Sequence, residues 1–289
     1  MNIESLKIRA LLRSEFDLVI EWAAKEGWNP GLDDADIFWQ TDPQAYLGVE
    51  LEGELVAAGS VVSYDGKFGF MGFFIVRADL RGLGIGTQLW FHRRDVLLAR
   101  LEPGACIAMD GVFDMQDWYA KGGFVFAHRN LRMLGVGRAT TSDTTCVDLG
   151  ELPFEQIAEY DARHFGYPRE AFLRPWIQPK SGRALGVVEE GRLRGYGVVR
   201  ECQEGFKIGP LFADDAAVAD QIFEALADYA AGQSLILDVP EVNEAAMELA
   251  RKNEMKEVFG CARMYYGADE TGETLPWQNI YGVTTFELG

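Results

Sequence analysis

Residues 73–90 hold the strongest constraint in this chain. They comprise an apolar run, Phe73-Phe74-Ile75-Val76, then Arg81-Gly82-Leu83-Gly84-Ile85-Gly86, then Thr87-Gln88-Leu89-Trp90. The apolar run reads as a buried strand, and the residues after the glycines begin a helix. Alternate glycines bring the backbone close to a ligand without Cβ interference and let successive N–H groups converge on an anion. The free N–H groups and dipole of the helix start strengthen that attraction. Strand, glycine loop and helix N-terminus together predict a pyrophosphate cradle in an α/β fold. A dinucleotide site is excluded by spacing, since the third glycine of GxGxxG would fall on Thr87 or Leu89. A P-loop is excluded too, because no Gly-Lys-Ser/Thr follows.

The elements around this loop alternate between strand and helix. Residues 5–12 read as extended, followed by a helix with Ser14 as N-cap, Asp17 three residues on, and Leu18, Val19, Trp22 and Ala23 on one face. Asp33-Asp34 opens a shorter helix through Trp39. Strands are predicted over 46–51, 55–64 and 68–76, with glycine turns between them. After the loop come a helix over 85–101, a strand over 105–109, a short helix over 115–121, and two strands, 124–130 and 131–136.

The second half repeats this order. Helices are predicted over 153–165 and 169–177, strands over 184–189, 193–201 and 206–212, a helix over 214–231, a strand over 234–239, a helix over 243–253 and a strand over 257–266. Lys121, Phe124 and Arg132-Met133 match Lys252, Met255 and Arg263-Met264 at a constant offset of 131. A duplicated unit is the reading, with domains at 1–138 and 145–289 and the Gly/Ser/Thr-rich residues 135–145 as linker. At this offset Ala250 stands opposite Tyr119. The loop position in the second half, Lys207 to Asp215, lacks the arginine and the alternating glycines, and Asp214-Asp215 would oppose a pyrophosphate. One cofactor site per chain is expected, in the first half, with the degenerate second half shaping the acceptor pocket or serving a structural role.

Composition narrows the remaining classes. Net charge is −18, and residues 201–289 hold 17 acids against 5 bases, a field that repels nucleic acid and anionic membrane and is compatible with a cationic acceptor or with plain solubility. No apolar stretch has the roughly 18 residues of a membrane span, and the polar start, Met1 to Ser5, carries no signal core; a cytoplasmic protein is expected. Cys106, Cys146, Cys202 and Cys261 form no CxxC pair, so neither disulfide nor zinc site is expected.

Arg81-Gly82-Leu83-Gly84-Ile85-Gly86 resembles the signature of the GNAT acetyltransferases, and Tyr119-Ala120-Lys121-Gly122-Gly123-Phe124 is similar to a stretch those families carry after their fourth helix. The likeness extends through Gly209–Phe212, Asp238–Asn243, Arg263-Met264-Tyr265 and Thr284–Gly289 to a subgroup with an additional C-terminal acetyltransferase-like domain. The resemblance implies a mixed-sheet acyl-CoA N-acyltransferase fold in two tandem domains, acetyl-CoA as co-substrate and no metal. It implies direct acetyl transfer to a primary amine but supplies no acceptor; the acidic second half is compatible with a small cationic amine, and a protein amine stays open. Backbone groups of Leu83 to Thr87, including Gly84, Ile85 and Gly86, would hold the pyrophosphate beside Arg81 and Gly82. Phe74, Ile75 and Val76 would pair with the pantetheine arm.

By the same resemblance Tyr119 would protonate the departing thiolate, or else pack against the cofactor sulfur. For a general base, Asp110 is best placed by topology, with Asp114, Gln116 and Asp117 nearby; each of these could instead cap the short helix. His92 and His128 read as structural. A non-catalytic acyl-CoA-binding regulator is the alternative, against which retention of Tyr119 argues.

Overall fold

The computed structural model describes residues 6–140, 145–267 and 275–289. The polar start and residue 5 of the expected first strand lie outside these, as do residues 141–144 of the expected linker. The first half contains β1 (Lys7–Ala10), α1 (Arg13–Lys25), α2 (Asp34–Thr41), β2 (Tyr46–Leu51), β3 (Glu54–Tyr64), β4 (Phe68–Val76), α3 (Ile85–Arg100), β5 (Cys106–Val112), α4 (Gln116–Lys121) and β6 (Val125–Val136). The second contains β7 (Val147–Asp148), α5 (Phe154–Phe165), α6 (Glu170–Trp176), β8 (Gly182–Glu189), β9 (Arg192–Glu201), β10 (Phe206–Ala213), α7 (Ala216–Tyr229), β11 (Ser234–Pro240), α8 (Glu244–Lys252), β12 (Lys256–Tyr266) and β13 (Ile280–Gly282).

Two local expectations are corrected, and one strand was not expected. Helix α1 starts one residue before Ser14, and its first turn is closed by the Glu15 carboxylate accepting the Leu12 N–H at 2.8 Å. The strands expected over 124–130 and 131–136 are one strand, β6, because no turn residue interrupts them and β12 pairs along its length. Strand β13 carries no pattern that sequence reasoning could have read.

The described strands form one mixed sheet in the order β1-β2-β3-β4-β5-β12-β6-β11-β10-β9-β8-β7, with β13 added beside β10. The two halves exchange their last long strands. β12 lies between β5 and β6, pairing Arg263 with Asp110 and Lys256 with Leu134. β6 in turn pairs with β11, bringing Arg132 opposite Asp238. The sheet thus runs unbroken across the boundary at 138–145.

Helices α1, α2, α5 and α6 share one core that draws on both halves, including a Phe38–Trp176 stack at 6.1 Å. On the other face α3 and α4 cover the first half, and α7 and α8 the second. Strand β4 shows how both faces are served. Phe68, Phe70, Phe73 and Ile75 enter the shared core while Met71, Phe74 and Val76 pack under α3. The alternation slips by one residue between Phe70 and Phe73, a β-bulge that also breaks the pairing with β3. Phe73 takes φ 49°, a conformation costly for a bulky residue and held here by burial.

The halves are also tied by buried charge. Arg132 donates to both Asp238 oxygens at 2.7 and 2.8 Å and to the Trp28 carbonyl at 2.8 Å. Arg200 reaches Asp34 at 2.9 Å, which gives Asp34 a role beyond the helix start at which its sequence position placed it. None of the four cysteines is joined in a disulfide. No described helix is long and apolar enough to cross a membrane.

Candidate active site

Strands β4 and β5 pair in parallel only at Phe68–Phe70 with Cys106–Ala108. Beyond Phe70 they part, and the gap opens into a cavity of about 580 Å³. At one end lies the glycine loop. Gly82 and Gly84 take φ 79° and 83°, the left-handed region that glycine tolerates, and the space where their side chains would stand is empty. Helix α3 follows Gly84 with no side chain capping its N-terminus. Its first N–H groups are therefore left to water or to an anion. Arg81 borders the loop, with Nε on the Val76 carbonyl at 2.9 Å and its guanidinium paired with Glu26 of the loop after α1.

The second half fills both corresponding features with its own chain. At the start of α7 the Asp215 carboxylate accepts from the Ala217 and Val218 N–H groups at 2.9 and 3.0 Å. Strands β10 and β11 likewise pair only at Phe206–Ile208 with Leu235–Leu237. Beyond that point β13 lies against β10, with Leu211 opposite Gly282 and Phe212 opposite Ile280. The anion position is thus taken by a carboxylate and the parted strands by a strand.

At the other end of the first-half cavity stands Tyr119, 4% exposed and stacked on Trp90 at 5.0 Å. Gly111 makes room for its ring, since a Cβ there would strike it. Burial pushes the phenol up to about 12, with Arg93 acting in the opposite sense. Arg93 is buried beside it without a carboxylate, and this desolvation lowers its guanidinium from the ordinary range. One Arg93 nitrogen donates to the Ser60 and Gly72 carbonyls at 2.8 and 2.7 Å, while Nε and the other terminal nitrogen make no hydrogen bond among the described residues and the guanidinium stands 5.1 Å from the Phe74 ring centroid. A buried cation next to a phenol favours the phenolate once its proton has gone.

Of the residues singled out in the sequence, Phe74, Ile75, Val76, Arg81, Gly82, Gly84, Gly86, Thr87, Tyr119 and Asp110 all line this cavity. Leu83 and Ile85 do not. The Leu83 side chain is exposed, and that of Ile85 is buried under α3. Asp110 is differently engaged from the expectation. Its two oxygens accept from Arg263 at 2.9 and 2.6 Å, and one also accepts from Asn130 at 2.7 Å. Taking a proton there would break a bidentate ion pair. Of the histidines, His128 is buried and driven down to about 3, chiefly by desolvation, which keeps it neutral; His92 is exposed on α3.

The second half is expected to shape the acceptor pocket or to be structural, but the sequence names none of the residues of the wall opposite the loop as site residues. Trp28 contributes from the segment after α1, Phe259 and Cys261 from β12, and Phe286 and Glu287 from the segment after β13. The sequence signals there were the family likeness of Thr284–Gly289 and a carboxylate, Glu287, standing between Phe286 and Leu288.

Comparison with known proteins accords with this geometry. Residues 7–124 match the Acetyltransferase (GNAT) family and residues 157–282 match an Acetyltransferase (GNAT) domain. The chain is 27% identical over 277 residues to holothin acyltransferase of Pseudoalteromonas sp. (strain SANK 73390), covering 95% of this chain and 92% of that protein. Among solved structures, a putative acetyltransferase from Pyrococcus horikoshii superposes with a TM-score of 0.83 at 23% identity, over 100% of this chain and 98% of that one. A tandem GNAT protein from the clavulanic acid biosynthesis pathway superposes at 0.64 with 14% identity, over 92% and 99%.

Proposed function

Because this chain belongs to the GNAT acetyltransferases, with a domain of that family in each half, we propose that it moves an acetyl group from acetyl-CoA directly to a primary amine, using one site in its first half. The carrying observation is the single cavity that joins an uncapped helix N-terminus, through parted strands, to a buried tyrosine. The loop N–H groups and the start of α3 suit the pyrophosphate, and the edge of β4 from Phe74 to Val76 suits the amide-bearing pantetheine arm. This arrangement directs the thioester toward the β4 bulge and Tyr119.

In this reading the amine nitrogen attacks the thioester carbon, and Tyr119 gives its phenolic proton to the sulfur as the C–S bond breaks. Arg93 stabilises the resulting phenolate until it regains a proton. Asp110 serves the fold, as the partner of Arg263, and does not act as the base. The name of the Pseudoalteromonas relative, an acyltransferase, makes longer acyl-CoAs worth assaying beside acetyl-CoA.

Thermal unfolding with and without acetyl-CoA tests the donor site. At ligand a hundredfold above its dissociation constant, stabilisation of roughly 2.7 kcal/mol is expected, and no shift at millimolar concentration would sink the proposal. Thiol release over an amine panel then separates an enzyme from a non-catalytic acyl-CoA-binding protein. Tyr119→Phe should lower kcat by about 100-fold with acetyl-CoA affinity unchanged. An unchanged rate would remove Tyr119 from the chemistry.

A further inference from the structure

Glu287 has no part in the steps above, yet it lies in the cavity wall at 5% exposure. Its chain segment, residues 281–289, is buried throughout. Val283 N–H bonds to the Asp238 carbonyl, the Tyr64 hydroxyl donates to the Leu288 carbonyl at 2.7 Å, and Arg169 donates to the Gly289 carbonyl at 3.2 Å. The Glu287 backbone presses on β4 so closely that a Cβ at Gly72 would collide with its carbonyl. Gly72 is the residue at which the bulge begins, so Glu287 stands where the two acyl-transfer partners must meet.

The other carboxylates of the cavity are committed, Asp110 to Arg263 and Glu26 to Arg81. Among the described residues the Glu287 carboxylate accepts no hydrogen bond. The cations near it are spoken for: Lys207 by the carbonyls of Trp28 and Asn29, Arg132 by Asp238, and Arg200 by Asp34. Burial raises the Glu287 carboxyl above its ordinary range, with Lys207, Arg132 and Arg200 opposing and Asp34 assisting. Around it the wall is aromatic, with Trp28 against Phe73 at 6.5 Å and Phe259 against Phe286 at 6.4 Å.

Resting on the acyl-transfer reading, we propose that Glu287 receives the acceptor's ammonium group and takes its proton, and that the acceptor carries one amine on a flat, apolar body. A single uncommitted carboxylate suits one cation, and aromatic walls suit a flat hydrocarbon surface rather than a string of charges. An acceptor arriving as ammonium gives one proton to Glu287. The neutral nitrogen then forms the new N–C bond as the C–S bond breaks. The sulfur receives its proton from Tyr119, and the second proton lost by the nitrogen restores the phenol. Glu287 releases its proton to solvent, so one proton ends on the thiol and one in water.

The probes are phenethylamine and spermidine, titrated calorimetrically into the protein loaded with CoA and assayed with acetyl-CoA. Phenethylamine should bind more tightly than spermidine. Glu287→Gln should weaken phenethylamine binding at least tenfold and lower kcat/KM about 100-fold, with acetyl-CoA affinity unchanged as proof of an intact fold. The acid limb of the kcat/KM profile should vanish in Glu287→Gln and persist in Glu287→Asp. Glu26, Asp34, Asp110, Arg81, Arg93, Arg132, Arg200, Lys207, Cys261 and Tyr119, the charged and titratable groups around the site, are unaltered in both variants. If acetyl-CoA does not bind, the acyl-transfer reading and this proposal fall together. If acetyl-CoA binds but phenethylamine does not, or spermidine binds better, or Glu287→Gln matches the wild type, the proposal alone is overturned.

Discussion

Asp110 and Asp238 occupy equivalent places, each near the end of the strand that parts from its parallel neighbour, and each meets an arginine from the exchanged strand of the other half. Those arginines, Arg263 and Arg132, are the same residues that match at a spacing of 131 in the sequence. The repeat was legible, but the reason for it was not, because an ion pair between residues 153 apart leaves no mark on local pattern. Removing one partner strands a buried guanidinium, so Asp110→Asn and Asp238→Asn should each cost about 3–5 kcal/mol in denaturant unfolding. Both folded variants should still turn over. If Asp110→Asn alone were folded, ligand-binding and inactive, Asp110 would be the base after all. Glu287 behaves in the opposite sense. Its folded carboxyl is raised above the ordinary 4.5, so its ionised form opposes folding as pH rises from that value through the folded one. Glu287→Gln should therefore be more stable than wild type near neutrality, and the advantage should disappear below about pH 4.5. Paired denaturation curves at pH 4 and pH 7.5 check this.

At the scale of single elements, the starts of α3 and α7 are a controlled comparison. One is preceded by Gly84 and left uncapped, while the other is closed by Asp215. Gly84→Asp would set a carboxylate beside the start of α3, opposing a pyrophosphate by charge; Asp tolerates the left-handed backbone there, which differs from the extended backbone from which Asp215 caps α7. The variant should fold, and its acetyl-CoA dissociation constant should rise at least tenfold by calorimetry; unchanged affinity would argue that α3 does not hold the pyrophosphate. This contrast was readable in the sequence because glycines and acids act on the backbone beside them. Strands β2 and β4 were readable to the residue, since alternation and glycine turns are local as well. What could not be read was set by distant partners: the bulge at Phe73, the insertion of β12 beside β5, and the placing of Glu287 against Gly72. A carboxylate in an apolar tail looks the same whether it faces water or a cavity.

For the whole molecule, the exchange of β6 and β12 makes each half structurally incomplete without the other. Calorimetric unfolding should show one transition, and acetyl-CoA at the proposed first-half site should raise it as a unit. Two separable transitions would mean that the exchange contributes little to cohesion. The same exchange sets an order in time. A ribosome finishes β6 at Val136 and reaches β12 only at Lys256, about ten seconds later at ordinary elongation rates. Throughout that interval β5 and β6 have emerged without the strand that belongs between them, and their exposed edges are open to wrong partners. The nascent first half is therefore exposed to mispairing throughout the synthesis of the second, and it gains its finished sheet only when β12 has been made.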